Sequence, residues 1–411
     1  MINIEKVYDV HTHLNPEYLG AEKLRNIIGY HFLFSEMLTV GLSFEKFSHD
    51  ISDKEWFSLV LDYLPKIKNT SSYWMANKIL EDIYELTLDE LNSKTLEKFE
   101  EKIAKKYKDP LWPWEILKKY CKTEILFTST PYSESFKEPK DTVRFKRVCE
   151  KFNFGIDINK SVLEYLKSKI EKENITSTDI KNYVRNVVKE SLNQSVVSFM
   201  CWLGRYPYRN ITDEELDHTI KISKDIEIIN STIGCYQFKN ILEYLKETNS
   251  KAVVQMIIGA HTTSGVNWPG RIFEIVNSDI IFSYQKLFMA FPEIKFNILV
   301  SSSLRSREID NLARLLPNVT VSGTWLHTMF PNQIIKILSD RLEFIPVGKI
   351  TAFFSDAYNA EWVYGKLVLV KKCVEIVLEE KIKQGWMKKK DTKPLIEELF
   401  WKSSKNIFNL E

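Results

Sequence analysis

Short apolar runs alternate with longer amphipathic stretches along most of this chain. Several of the runs are almost entirely apolar, as expected for strands buried on both faces of a parallel sheet. Eight such strands separated by helical segments predict an α/β fold, a (β/α)8 barrel of the TIM type. In chain order the predicted strands are Val7–His11, Glu124–Thr128, Phe152–Asp157, Val196–Cys201, Ala252–Ile258, Lys295–Val300, Val319–Trp325 and Ile350–Ser355.

An open, doubly wound parallel sheet is the alternative architecture for this pattern. Sheets of that kind that bind dinucleotides have a glycine-rich phosphate loop after the first strand. Here His13-Leu14-Asn15-Pro16 occupies that place, so the sequence favours the barrel.

A long helical insertion separates the first predicted strand from the second. Glu22–Phe34 and Thr95–Tyr107 have helical periodicity, which predicts a single barrel domain over 1–411 with an insertion over 14–122. An insertion on the first βα connection lies at the face where barrel enzymes keep their active sites, so we expect it to supply walls or a lid. The alternative is a packing subdomain with no role at the site.

Composition and charge narrow the classes of partner. The 411 residues include 57 Lys+Arg and 55 Asp+Glu, a net charge of +2 that favours neither nucleic acid nor an acidic membrane surface. The five cysteines are scattered without CxxC spacing, which fits a reducing compartment. No signal peptide or membrane-spanning run is evident. We therefore expect a cytoplasmic protein that acts on a small molecule. A homo-oligomer is compatible with the sequence, which does not fix the oligomeric state.

The tripeptide His11-Thr12-His13 ends the first predicted strand. Alternate side chains of a strand point to the same face, so His11 and His13 project together while Thr12 points the other way. Two imidazoles in this relation can bind one divalent cation. The pattern also occurs by chance on exposed strands.

The eighth predicted strand leads into Asp356. In a closed barrel, strand eight is the neighbour of strand one, which predicts that Asp356 lies beside His11 and His13 at the carboxyl end of the strands. Two imidazoles and one carboxylate leave coordination positions open for water or substrate, as in catalytic metal sites. The alternative role for Asp356 is capping of the following helix.

Several segments together resemble the uronate (glucuronate) isomerase branch of the amidohydrolase superfamily. That branch combines an HxH after strand one and an Asp after strand eight with short motifs elsewhere. A His-Tyr motif lies in its insertion, a V-M-Q-L-H-I-G-A pattern in its fifth strand, F-G-x-x-W-W in its seventh and S/T-D-S-R after its eighth. The similar segments here are Gly29–Glu36, Val253–Ala260, Val321–Leu326 and Ser355–Tyr358.

The resemblance implies a metal-dependent barrel with His11, His13 and Asp356 as ligands. Ser301-Ser302-Ser303 ends strand six without a histidine, and no lysine ends a neighbouring strand, which favours one divalent ion rather than two. Zinc is the first candidate, and Mn, Fe, Co and Ni accept the same ligands. His31 matches the histidine of the insertion, near the substrate, where it would help to move a proton. A structural histidine within an aromatic segment is the alternative.

Some positions depart from the resemblance. Phe32 stands where the branch has a tyrosine, and Tyr358 stands where it has an arginine. Arginines expected after the fifth and third strands are also missing, at His261-Thr262 and Gly155-Ile156-Asp157. Arginine binds carboxylates by paired hydrogen bonds, so these losses leave the exact acid open.

Other residues at the carboxyl ends of the strands could complete the pocket. Arg205 could supply a cation, with an exposed surface arginine as its alternative. His261 and His327 could contact substrate or metal, or be ordinary loop histidines. Trp325 fits a pocket wall or a core position, and Tyr358 could replace a lost proton donor.

Two reaction classes fit this set of residues. The first is an aldose–ketose isomerase acting on a hexuronate or related sugar acid, in which Asp356 and His31 move protons and Tyr358 assists. The second is a metal-dependent hydrolase or lyase on the same scaffold, with Asp356 as the general base for a water molecule. A barrel that binds a ligand without catalysis is a third possibility.

Overall fold

Strands and helices alternate along the chain, as the sequence predicts. The computed structural model describes residues 2–46, 51–155, 157, 159–204, 206–263, 271–274, 278–323 and 329–411. The strands are β1 (Val7–Thr12), β2 (Thr123–Thr128), β3 (Arg144–Cys149), β4 (Ser198–Gly204), β5 (Val253–Ile258), β6 (Ala260–Thr263), β7 (Arg271–Glu274), β8 (Phe296–Val300) and β9 (Val319–Val321).

Helices connect most of these strands. They are α1 (Leu24–Ile28), α2 (His31–Thr39), α3 (Asp53–Val60), α4 (Ser71–Tyr84), α5 (Leu96–Tyr107), α6 (Trp112–Glu115), α7 (Val162–Ile170), α8 (Ser177–Asn193), α9 (Asp213–Ile222), α10 (Ile226–Glu247), α11 (Ser278–Ala290), α12 (Ser306–Leu315), α13 (Pro331–Phe344), α14 (Ala360–Lys383), α15 (Thr392–Glu397) and α16 (Ser403–Ile407). Among the described residues, no helix combines the length and apolar character needed to cross a membrane.

The chain divides into two compact units. The first unit comprises Met1–Phe145, Thr328–Ile335 and Phe353–Glu397, and the second comprises Lys146–His327, Lys336–Ala352 and Glu398–Glu411. Helices α1 to α6 occupy the predicted insertion. The description of 1–411 as a single domain with an insertion over 14–122 stays a prediction.

In the first unit, β1 pairs with β2 in parallel. The register shifts between Asp9 and Thr12, so the ladder is irregular at His11 and just before His13. Bulges of this kind re-aim side chains and are common next to functional sites. The segment Phe353–Ala357 is buried and extends beside the other edge of β1: the Asp356 N–H donates to the His11 carbonyl at 2.9 Å, and the His13 N–H donates to the Ala357 carbonyl at 2.9 Å.

Helix α14 follows this segment and anchors the first unit. Asn359 caps the helix by accepting a hydrogen bond from the Trp362 N–H at 3.1 Å. The Trp362 ring is fully buried and stacks on Tyr30 at 4.0 Å. Gly365 allows α14 to approach α4 closely, because a Cβ there would lie 2.9 Å from the Ile79 side chain. These contacts fix the helix against the insertion helices.

Five parallel strands lie in the order β3, β4, β5, β8, β9, and all but the first two residues of β3 belong to the second unit. The order follows the chain without the reversal that a doubly wound sheet has at its switch point. The seven parallel strands of the two units and their connecting helices confirm the predicted α/β fold of the TIM-barrel type. The antiparallel hairpin of β6 and β7, which follows β5, was not predicted.

Two of the predicted strands were wrong in detail. The third strand lies at Arg144–Cys149. In the predicted segment Phe152–Asp157, residues 152–155 form no strand, because the Asn153 side chain accepts from the Gly155 N–H and Gly155 has a φ of +73°; Ile156 lies outside the described residues. The eighth segment, predicted as Ile350–Ser355, makes one parallel bridge at Ile350 and is otherwise extended without a regular ladder.

Candidate metal centre

Three side chains from two segments of the first unit converge on one point. Asp356 Oδ1 lies 3.3 Å from His11 Nε2 and 3.2 Å from His13 Nε2. The rings of the two histidines are nearly perpendicular, with centroids 5.0 Å apart. His11 and Asp356 are buried, and His13 is partly exposed. Among the described residues these three form the only cluster of potential ligands close enough to share an ion.

The spacing of these donor atoms fits a tetrahedral ion. Zinc binds nitrogen and oxygen at about 2.0–2.1 Å, which puts neighbouring ligands of a tetrahedron about 3.3 Å apart. The two measured nitrogen–oxygen distances, 3.3 and 3.2 Å, agree with that separation. Two imidazoles and a carboxylate are also a ligand set typical of catalytic zinc. The residues present therefore fit a divalent metal ion.

The backbone of Asp356 adopts an unusual conformation. Its φ of +51° is in the left-handed region, which Asp tolerates better than most residues. The surroundings hold this conformation: the N–H donates to His11, and the carbonyl accepts from the Tyr30 hydroxyl at 3.0 Å and from Lys366 Nζ at 3.4 Å. Strained backbone that neighbours fix in this way is common at functional sites.

Asp356 does not cap the following helix. Asn359 has that role, which removes the capping alternative. Burial alone would raise the pKa of Asp356, but hydrogen bonds from His11 and His13 and the positive charge of Lys366 outweigh it and hold the pKa well below its usual range. The carboxylate is therefore ionised at neutral pH, as a metal ligand must be.

Contacts behind the histidines set the orientation of their rings. His13 Nδ1 lies 3.2 Å from Ser129 Oγ, which leaves Nε2 facing Asp356. Such outer contacts fix the tautomer and orientation of a metal-binding histidine. His11 Nδ1 and the neighbouring Asp9 Oδ2 are buried atoms for which the described residues provide no hydrogen-bond partner. Burial raises the pKa of Asp9 to about 6, although hydrogen bonds from Ser355 oppose the shift.

A fully buried lysine lies beside the cluster. Lys366 Nζ, on α14, is 3.9 Å from Asp356 Oδ2, and it faces the rings of Tyr30 and Phe32 at 5.1 and 5.5 Å. Burial lowers the pKa of Lys366 to about 8, while the negative charges of Asp356 and Asp9 oppose that shift. The phenyl ring of Phe32, where the resemblance has a tyrosine, thus helps to enclose a cation.

His31 and Tyr358 lie next to the cluster. The Tyr358 ring stacks on His13 with centroids 4.9 Å apart and meets the His31 ring edge-on at 5.3 Å. His31 is the first residue of α2 and is enclosed by aromatic rings, although part of its surface faces solvent. Its burial lowers its pKa to about 4, so the imidazole is uncharged at neutral pH.

A pocket of about 810 Å³ is lined by His31 and Tyr358. That volume is in the range of small-molecule sites. Its wall includes Arg25, the only lysine or arginine that the described residues contribute to the lining. Arg25 Nη1 donates to the Ile51 carbonyl at 3.1 Å and lies 3.4 Å from Asp53 Oδ1.

Four other predicted site residues cannot be placed at the pocket. Arg205, Trp325 and His327 lie outside the described residues. The backbone of His261 belongs to β6 and pairs with Phe273 of β7, and its side chain is outside the described part of the structure. Their roles stay predictions.

Sequence reasoning missed three residues of this site: Lys366, Tyr30 and Arg25. A lysine or arginine on a helix is usually exposed, and nothing in its spacing distinguishes Lys366 from the other lysines of α14. Tyr30 precedes His31 directly, but a hydroxyl that binds the carbonyl of Asp356 is visible only in three dimensions. Asp9 could have been predicted to lie near the site, because the alternation of side chains along a strand places it on the same face as His11 and His13.

Sequence comparisons give no relative for this chain. No family model matches it, and no curated protein matches it.

Comparison with solved structures gives the fold. Uronate isomerase from Thermotoga maritima superposes with a TM-score of 0.79 at 16% identity, over 98% of this chain and 94% of that chain. Glucuronate isomerase from Caulobacter crescentus gives a TM-score of 0.81 at 13% identity, over 98% and 91% of the two chains. A Lactobacillus casei protein assigned as a metal-dependent hydrolase gives a TM-score of 0.63 at 14% identity, over 98% of this chain and 95% of that chain. The predicted resemblance to uronate isomerases is thus confirmed at the level of the fold, which this chain shares with them.

Proposed function

We propose that this protein is a metal-dependent aldose–ketose isomerase that acts on a hexuronate, such as glucuronate or galacturonate, or on a related sugar acid. The observation that carries the proposal is the placement of two proton-transfer candidates, His31 and Tyr358, between an open pocket and the cluster of His11, His13 and Asp356. The shared fold with uronate isomerases supports it.

His11, His13 and Asp356 would hold one divalent ion, with zinc as our first choice. Bound there, the ion would polarise the sugar's oxygens and lower the pKa of a substrate hydroxyl. Asp356 stays ionised and would serve as a ligand through Oδ1, the oxygen that faces both histidines. Its further role in proton exchange is part of the proposal.

His31 and Tyr358 would move the protons of the reaction. An aldose–ketose isomerase shifts a proton between two adjacent carbons and another between two oxygens. The uncharged His31 has a lone pair that can accept a proton, although its low pKa makes it a weak base that gives the proton up readily. Tyr358 is 52% exposed and in contact with both His13 and His31, so its hydroxyl could serve an oxygen of the substrate.

Arg25 would bind the carboxylate of a sugar acid. Its hydrogen bonds to described residues use Nη1, and its guanidinium lies 5.4 Å from the Trp56 ring centroid. The edge formed by Nε and Nη2 can therefore offer the paired donors that a carboxylate accepts. The negative charge of Asp53 is shared between two cations, because Lys23 Nζ lies 3.0 Å from Asp53 Oδ2. Asp53 therefore does not fully neutralise the positive charge of Arg25. Arg25 thus replaces the arginines that the sequence lacks elsewhere.

Hydrolysis by the same centre is the second candidate. The fold shared with a protein assigned as a metal-dependent hydrolase favours it, at a lower TM-score than the isomerases. A hydrolase would require no proton transfer between neighbouring carbons, so the His31–Tyr358 pair would serve it as general acid or base for the water and the leaving group instead.

Metal uptake tests the proposed ligands. We expect purified protein dialysed against zinc to retain about one ion per chain, with affinity falling at least about 100-fold in His11→Ala and Asp356→Asn because each loses a ligand. Ser129→Ala should cost about 10- to 100-fold, as outer contacts of metal ligands do. His218→Ala, an exposed position on α9, is the matched control and should bind like the wild type. Equal zinc retention in all variants would contradict the site.

Turnover tests the reaction. We expect zinc-loaded protein to convert D-glucuronate or D-galacturonate to the ketose, followed by NMR, and Asp356→Asn to lower kcat at least about 100-fold. Protein that binds zinc but converts neither acid, and instead cleaves ester or amide substrates, would favour the hydrolase.

Substitution of Arg25 tests carboxylate recognition. A charge-assisted hydrogen bond contributes about 1.5–3 kcal/mol, so Arg25→Gln should raise KM for the uronate about 10- to 100-fold and leave kcat within a few-fold. Lys105→Gln, an exposed position on α5, controls for the loss of one positive charge. A KM that is the same in both variants would show that another group binds the acid.

The titration of His31 tests its proposed protonation state. NMR of the histidine rings in metal-free protein should give a midpoint near pH 4 for His31, assigned from the signal missing in His31→Gln. This pKa is below the value of about 6.5 for an unfolded chain, so the unfolded protein binds the proton more tightly than the folded one. The contribution of the uncharged His31 to folding stability is therefore fully present above about pH 6.5 and is lost as the pH falls toward 4. His31→Gln should therefore lose less stability over that interval. A midpoint above about pH 6 would contradict an uncharged, enclosed imidazole.

A further inference from the structure

We propose that Lys366 is a positioning residue that reserves Asp356 Oδ2, so that Asp356 offers only Oδ1 to a bound ion. This inference rests on the proposed metal site and goes beyond it, because it concerns how many oxygens Asp356 provides. The observation that carries it is a fully buried lysine whose amine contacts both the carboxylate and the backbone carbonyl of one ligand residue.

The two oxygens of Asp356 face different neighbours. Oδ1 lies 3.3 and 3.2 Å from the imidazole nitrogens of His11 and His13, whereas Oδ2 lies 3.9 Å from Lys366 Nζ. A carboxylate can bind an ion through one oxygen or through both, and the second mode adds one ligand. A cation on the Oδ2 side attracts that oxygen away from the ion's position and repels a cation that approaches it.

Lys366 is itself held in place. It follows Asp356 by ten residues and belongs to α14, which is anchored by the Asn359 cap and by the stacking of Trp362 on Tyr30. The rings of Tyr30 and Phe32 face its amine, and its hydrogen bond to the Asp356 carbonyl at 3.4 Å joins that of the Tyr30 hydroxyl. The lysine therefore acts on the left-handed backbone of Asp356 as well as on its side chain.

The number of oxygens that Asp356 offers would decide how many coordination positions of a bound ion stay open. With His11, His13 and one oxygen of Asp356 as ligands, a four-coordinate ion keeps one position for water or substrate. A second oxygen from Asp356 would occupy that position or raise the coordination number. Lys366 would thus keep one coordination position open and favour ions that accept low coordination numbers, such as zinc and cobalt.

Cobalt substitution tests the role of Lys366. The visible bands of Co(II) lose intensity as its coordination number rises, so they report ligand number independently of activity. We expect a loss of band intensity in both Lys366→Met and Lys366→Gln, together with a loss of cobalt affinity of about 10- to 100-fold. The glutamine keeps a polar hydrogen-bond donor but has no charge, so it separates the loss of charge from the loss of a polar side chain, and it replaces the methionine variant if that one does not fold.

Lys381→Met is the matched control. Lys381 is also buried on α14, at 4% exposure, and it lies fifteen residues farther along the helix. Its variant should keep the wild-type cobalt spectrum, whatever it costs in stability. Cobalt-loaded Lys366→Met and Lys366→Gln with wild-type spectra, or an equal change in Lys381→Met, would overturn the role of Lys366. Wild-type protein that takes up no cobalt would instead overturn the metal site itself.

Discussion

The hydrogen bonds between the end of β1 and the segment before α14 are the contact on which the candidate site depends. The Asp356 N–H donates to His11, and the His13 N–H donates to Ala357. Ser355 adds a third bond, from its N–H to the Asp9 carboxylate at 2.9 Å, between residues 346 positions apart in the chain. These bonds bring a carboxylate to two imidazoles. Without them His11 and His13 would be an ordinary pair on a strand.

Several ionisable side chains are buried around this contact, among them Asp9, Asp356 and Lys366. Taking a carboxylate or an amine out of water costs several kcal/mol, and each charge must be compensated by partners. Asp356 has two histidines and Lys366, and Lys366 has Asp356 and two aromatic rings. Two buried polar atoms nearby, His11 Nδ1 and Asp9 Oδ2, have no hydrogen-bond partner among the described residues, so the polar groups of this region are only partly satisfied. A site that is costly in this way is expected where the charges serve a ligand.

The sequence predicted the parts of the fold that rest on apolar periodicity. The residues predicted for the first strand, Val7–His11, lie in β1, because burial and periodicity are local properties. Strand β3 was missed because Arg144, Lys146 and Arg147 hide its buried positions, whereas the apolar Phe154 lies in the turn from Asn153 to Gly155. The eighth segment lost its regular ladder near Asp356, whose left-handed φ depends on contacts with distant residues.

The candidate site was predictable to the same extent. The two histidines and Asp356 follow from strand spacing and barrel adjacency, and they do meet. Lys366 and Arg25 could not be found, since an isolated basic residue on a helix reads as a solvated surface position until its neighbours are known. Only their tertiary contacts distinguish them: Lys366 is completely buried beside Asp356, and Arg25 lies in the wall of the pocket.

The most direct measurement is the anomalous diffraction of crystals grown with zinc, recorded on both sides of the zinc absorption edge. We expect one strong anomalous peak within about 2.3 Å of His11 Nε2, His13 Nε2 and Asp356 Oδ1, with Asp356 Oδ2 turned toward Lys366. A zinc-loaded crystal with no peak between these three residues, or with its peak on other ligands, would contradict a metal centre at His11, His13 and Asp356.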